Sequence, residues 1–255
     1  MTNENKCIMS SRCKYAGKPS HCHELCFPFR KAHGESGESG LVGLADVPKK
    51  YRNCKLDNLP IEQENPVAYV AIKHISQNIE AFIDHGVGLY LYSVPNAENP
   101  RGTGTGKTTS AITILNEYLA YRIVQHIKHE KSITTHIPAL FVRASKFQNV
   151  YNAQFRGTSE MKDQASQEFY TLKKHMLTTD LLVIDDIGLR NSTEAMTNEL
   201  YEIIDERASE EKAFILTSNV PIEDLNEILS HQIGSRIEGA CEQIAFQGKD
   251  FRRGN

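Results

Sequence analysis

Eight consecutive residues limit what this chain can fold into: Gly102-Thr103-Gly104-Thr105-Gly106-Lys107-Thr108-Thr109. They stand between an apolar run, Leu89-Tyr90-Leu91-Tyr92, that reads as a strand, and a helical pattern that starts at Thr108 and keeps its stripe through Ala111, Leu115, Leu119 and Ile123. Strand, glycine-rich loop and helix in that order make a phosphate cradle, because the glycines let backbone N–H groups turn to one centre and the helix start adds partial positive charge. In this P-loop reading, Gly104, Thr105, Gly106 and Thr109 surround the phosphates of ATP. Lys107 neutralises the β- and γ-phosphates, and the Thr108 hydroxyl ligates Mg²⁺. One position departs from the usual pattern: five residues before Gly106, where a glycine is expected, the chain has Arg101, and residues 93–101 make a long approach to the loop.

A second run, Leu181-Leu182-Val183-Ile184-Asp185-Asp186, is an apolar strand ending in two carboxylates. Burial of such a strand fixes Asp185 where it can hold the magnesium shell and leaves Asp186 to orient or deprotonate an attacking water. Asp186 is one methylene shorter than the glutamate common at such positions, so slow turnover is expected, suited to a switch. Asn219, at the end of a further apolar run, is placed to reach the γ-phosphate or the lytic water. Near the C-terminus, Arg236 lies on a helical pattern; a guanidinium offered to a neighbour's γ-phosphate would stabilise the transition-state charge and make hydrolysis depend on self-association.

Short apolar runs at 89–92, 139–142, 181–184, 214–217 and 243–246 alternate with helical patterns at 144–154, 161–175, 194–209 and 222–237. This alternation predicts an α/β fold with a five-stranded parallel sheet covered on both faces. A further amphipathic helix is expected from residue 66 to 84. The first 32 residues hold Cys7, Cys13, Cys22 and Cys26, with His21 and His23 as alternative ligands. A segment so short lacks a core, and a Zn²⁺ site would supply one. Residues 33–44, rich in Gly, Ser and Glu, read as a flexible linker, and 45–255 as the ATPase domain. Cys54 and Cys241 stand apart as inert thiols.

The formal charge of −3 excludes a strongly basic nucleic-acid surface, so any DNA contact must be local. No run approaches membrane-spanning length and the N-terminus has no apolar signal core, so a cytoplasmic protein is expected, in which clustered thiols favour metal over disulfides.

With these residues in view, the chain resembles the DnaC/DnaI-type replicative helicase loaders, bacterial or phage AAA+ ATPases of the initiator clade. The resemblance covers about residues 45–255 and is carried by Gly104-Thr105-Gly106-Lys107-Thr108, Leu182-Val183-Ile184-Asp185-Asp186-Ile187-Gly188, Thr217-Ser218-Asn219, Ser235-Arg236-Ile237 and Gly248-Lys249-Asp250-Phe251-Arg252, with Val47-Pro48-Lys49-Lys50-Tyr51-Arg52-Asn53 leading in. It implies an AAA+ domain lacking a lid domain, Asn219 as sensor 1, Arg236 as arginine finger and Arg252 in the sensor 2 role. It also implies that the cysteine module grips a hexameric replicative helicase, and that the ATP form contacts single-stranded DNA during replication initiation. Candidate DNA contacts lie in residues 143–151 and at Phe155-Arg156, where cationic and aromatic side chains interleave. Two competing readings are an IstB-like transposition-helper ATPase acting on duplex DNA, and a non-hydrolysing zinc adaptor.

Overall fold

The computed structural model describes residues 2–130, 132, 136–188 and 193–251. Two short helices, α1 (Phe27–His33) and α2 (Gly40–Leu44), precede α3 (Pro66–Gln77) and α4 (Ile79–Asp84). Strands and helices then alternate: β1 (Gly88–Ser93), α5 (Lys107–Ile127), β2 (Ala139–Arg143), α6 (Ala144–Ala153), α7 (Ser159–Thr178), β3 (Leu181–Ile187), α8 (Glu194–Ser209), β4 (Phe214–Ser218), α9 (Ile222–Ile228), α10 (His231–Ala240) and β5 (Cys241–Phe246). The five strands form one parallel sheet in the order β2-β3-β4-β1-β5, as the alternation predicts.

Successive strand residues point to opposite faces, which divides the core in two. Leu89, Leu91, Val183 and Ile215 join one apolar cluster with α3, α4 and α5, while Tyr90, Leu182, Ile184 and Leu216 join another with α6 to α10. Two helices expected to be continuous are broken by polar side chains that bind backbone. Asn78 ends α3 by donating its Nδ2 to His74 O at 2.9 Å, and Ser230 starts α10 by accepting from Ile233 N at 3.3 Å.

The segment expected to be a flexible linker is instead packed. Residues Gly40–Leu44 are helical, Leu41 and Val42 are buried, and the Ser39 N–H donates to His33 O at 2.9 Å. The polar run around it hides this short apolar stretch. The N-terminal residues likewise lie against the α/β domain: Cys7, Ile8, Met9, Phe29 and Ala32 share the cluster that contains Leu115 and Leu119 of α5. The core that the sequence assigned to zinc is thus provided by the P-loop helix.

Polar contacts complete this docking. Arg12 forms an ion pair with Glu117 of α5 at 2.9 Å, and Lys55 Nζ donates to Ser10 Oγ at 2.5 Å. Burial raises the Glu117 pKa against the opposing charge of Arg12. The Ile8 N–H donates to Nε2 of buried His33 at 3.2 Å.

Candidate active site

The parallel order places the C-terminal ends of β1, β4 and β3 side by side, and a cleft of about 330 Å³ opens there, lined by residues 103–109, Asp185, Asp186, Thr217 and Asn219, with Lys50, Tyr51, Pro60 and Phe251 at its rim. Gly106 caps α5 in a left-handed conformation, φ 103°, with no side-chain cap, so the first amides of the helix face the cleft without a local competitor. The departure at Arg101 has a simple cause. Gly102 makes the turn with φ 58°, and Arg101 is not among the residues with positive φ. A glycine is required further on, at Gly104, where φ is 67° and an added Cβ would lie 1.7 Å from Asp250 Oδ1.

Lys107 is only 6% exposed. Its ammonium donates to Gly102 O at 3.1 Å, to Asn219 Oδ1 at 3.1 Å, and to Ser93 Oγ. The Thr108 hydroxyl donates to Asp185 Oδ1 at 2.7 Å, and Thr217 Oγ1 donates to the same oxygen at 2.8 Å. Two hydroxyls and a carboxylate meeting at one point form an all-oxygen donor set that fits Mg²⁺.

Adjacent residues of a regular strand face opposite ways, yet Asp185 and Asp186 both line the cleft. A bulge resolves this: Ile184 pairs with Leu216 and Ile187 with Ser218, leaving one extra residue on β3. Asp186 takes φ 63°, a conformation Asp tolerates better than most side chains. Its N–H donates to Thr217 Oγ1 at 2.9 Å, and its Oδ1 accepts from Asn219 Nδ2 at 2.8 Å. Asn219 therefore touches Lys107 with one end of its amide and Asp186 with the other. From the sequence, Thr217 had no role beyond its place in a motif and Ser93 had none; the signal available was a hydroxyl residue at the end of an apolar strand beside the P-loop strand.

Arg236 is placed elsewhere. It projects from α10 to α8, with Nε 2.8 Å from Asp205 Oδ1 and Nη2 donating to Ser209 Oγ at 2.8 Å, and it does not line the cleft. Arg252 lies outside the described residues. Of the candidate DNA contacts, Phe147 is fully buried and belongs to the core, whereas Arg143, Lys146, Phe155 and Arg156 are exposed.

Among the described residues, no group of three or more His, Cys, Asp or Glu is arranged to hold a metal ion, so the expected zinc site is not assembled. Burial first, and then Cys26, Cys22 and Cys13, push the Cys7 thiol up to about 11. Burial also pushes Cys54 to about 11 and Cys241 to about 12, which keeps both protonated. No helix among the described residues is long and apolar enough to cross a membrane.

Residues 145–255 match a family profile described as IstB-like ATP binding protein. Over 214 residues the chain is 24% identical to the replicative helicase loader DnaC of Buchnera aphidicola subsp. Acyrthosiphon pisum, which spans 84% of this chain and 75% of the relative. A crystal structure of the DnaC helicase loader aligns with a TM-score of 0.55 at 21% identity, covering 78% of this chain and 99% of that one. The replication initiator DnaA bound to AMPPCP and single-stranded DNA aligns with a TM-score of 0.55 at 19% identity, covering 80% of this chain and 51% of that one. This chain therefore spans about half the length of the DnaA chain. The five-stranded parallel α/β fold is shared with these structures, and the resemblance to DnaC/DnaI-type loaders holds.

Proposed function

We propose that this chain, similar to the DnaC loaders over most of its length, is an ATP-dependent loader of a hexameric replicative helicase onto single-stranded DNA at replication initiation, acting as a slow ATPase switch. The observation that carries the reading is the convergence of Lys107, Thr108, Asp185, Asp186 and Asn219 on one cleft. Phosphates would be received by the amides at the start of α5 and by Lys107, which would exchange Gly102 O and Asn219 for them. Thr108 and Asp185 would hold Mg²⁺, which when bound neutralises charge on the β- and γ-phosphates. Asp186 would orient the attacking water and accept its proton. Asn219, in contact with both Lys107 and Asp186, couples phosphate occupancy to the position of that carboxylate.

In the self-associated ATP state, Arg236 would exchange Asp205 for a neighbour's γ-phosphate, with Arg252 in the sensor 2 role. The exposed Arg143, Lys146, Phe155 and Arg156 would track single-stranded DNA. The N-terminal segment, docked on α5, would bind the helicase. Zn²⁺ on Cys7, Cys13, Cys22 and Cys26 belongs to the proposal on the sequence pattern alone; elemental analysis near one zinc per chain supports it, and a zinc-free, folded protein removes it. Cytoplasmic location follows from this function.

The test is a loading assay: the protein, a replicative helicase and closed circular single-stranded DNA, with and without ATP. ATP-dependent transfer of helicase to the circle supports the proposal, and absence of any helicase association refutes it. The IstB-like profile favours a second reading, a transposition helper, which would instead show ATP-dependent binding to duplex DNA beside a transposase.

A further inference from the structure

The long approach to the phosphate loop is tied down by a side chain with no role in the preceding account. Asn96 Oδ1 accepts from the backbone N–H of Glu98 at 3.0 Å and of Asn99 at 2.7 Å, closing a tight turn. The turn leaves Asn99 only 7% exposed, and its carboxamide is used at both ends. Oδ1 accepts the Thr103 N–H at 3.2 Å, while Nδ2 donates to Thr103 O at 2.7 Å and to Gly248 O at 3.1 Å. One amide thus holds both main-chain groups of a phosphate-loop residue, as a neighbouring strand would, and joins that residue to the segment after β5. This segment returns to the loop twice more: the Phe251 N–H donates to Gly104 O at 3.0 Å, and Thr103 Oγ1 donates to Asp250 Oδ2 at 3.1 Å.

We infer that Asn99 is a positioning residue for the nucleotide phosphates, and that with residues 248–251 it forms a latch holding the outer side of the P-loop. The inference rests on reading the cleft as the nucleotide site. A glycine-rich loop has many conformations to lose when it grips a phosphate, and bonds that fix Thr103 and Gly104 beforehand remove that loss from binding. The carbonyls of Thr103 and Gly104 are engaged from outside, by Asn99 and Phe251, which leaves the inner side of the loop to the ligand. The latch takes the place of compactness in a loop whose approach is long. Asn99 touches no reacting atom, so it acts on binding alike in the ground and transition states.

The experiment measures MgATP affinity, the KM and kcat of hydrolysis, and thermal melting on the full chain as wild type, Asn99→Ala, Asn99→Asp and Asp250→Ala. Asn99→Ala is expected to weaken MgATP binding and raise KM by about tenfold, with kcat and melting temperature near wild type. Asn99→Asp keeps the acceptor but sets a charged oxygen against Thr103 O and Gly248 O, and is expected to bind MgATP at least as weakly as Asn99→Ala. Asp250→Ala, at a half-buried position, is expected to weaken binding by about threefold. A wild-type chain that binds MgATP while Asn99→Ala and Asp250→Ala bind it equally well overturns the latch alone. Loss of affinity accompanied by matching falls in kcat and melting temperature also overturns it, as a general collapse of the cleft. A wild-type chain that binds no MgATP overturns the nucleotide reading and the latch together.

Discussion

Acidification should undock the N-terminal segment through one histidine. His33 is 2% exposed, and burial first, then the nearby charge of Arg52, lower its pKa from 6.5 to about 4. Its Nε2 accepts the Ile8 N–H, a bond that only the unprotonated nitrogen can make. The folded pKa is depressed, so between about 6.5 and 4 the unfolded chain binds a proton that the folded chain does not. Stability is therefore fully present above 6.5 and is lost as pH falls towards 4. The full difference corresponds to about 3 kcal/mol, of which about 2 kcal/mol is already lost at roughly pH 5. The assay is urea denaturation of wild type and His33→Gln at neutral pH and near pH 5, followed by tyrosine fluorescence and far-ultraviolet circular dichroism. Gln offers an acceptor to Ile8 but no titration, so the variant should lose about 2 kcal/mol less than wild type over that interval. Equal losses in the two proteins would refute the assignment of the acid sensitivity to His33.

Asp186→Asn should retain MgATP binding and lower single-turnover hydrolysis by about 100-fold or more, because the amide cannot take the water's proton. Gly104→Ala should weaken MgATP binding by about tenfold or more, measured by titration, since its Cβ would meet Asp250 Oδ1 at 1.7 Å and φ is 67°. Arg236→Ala should leave MgATP affinity of the isolated chain unchanged while lowering hydrolysis by about 1000-fold under conditions where the chain self-associates.

What was legible in the sequence followed the strength of its local signals. The five apolar runs became the five strands, and the loop from Thr103 to Thr109 came to line the cleft, because both depend on patterns within a few residues. The joint use of Asp185 and Asp186 was legible as composition but not as geometry: strand alternation separates them, and only the bulge opposite Thr217 brings them together. Docking of the N-terminal segment was not legible, since Ile8, Met9 and Phe29 are too few to announce a core and their partners on α5 are about a hundred residues away. Glu117, lying within the helical pattern after the P-loop, carried no sign that it would be buried in an ion pair with Arg12. Arg236 was correctly placed on a helix, but its bond to Asp205 depends on α8 packing against α10, which no local pattern encodes.

The central claim is that a nucleoside triphosphate occupies the cleft above Lys107, with its metal held by Thr108 and Asp185. Calorimetric titration of MgATP into the full chain, beside Lys107→Ala and with and without magnesium, tests it most directly. Saturable, magnesium-enhanced binding to the wild type that disappears in Lys107→Ala is the predicted result. Absence of binding to the wild type, or undiminished binding to the variant, would contradict the account.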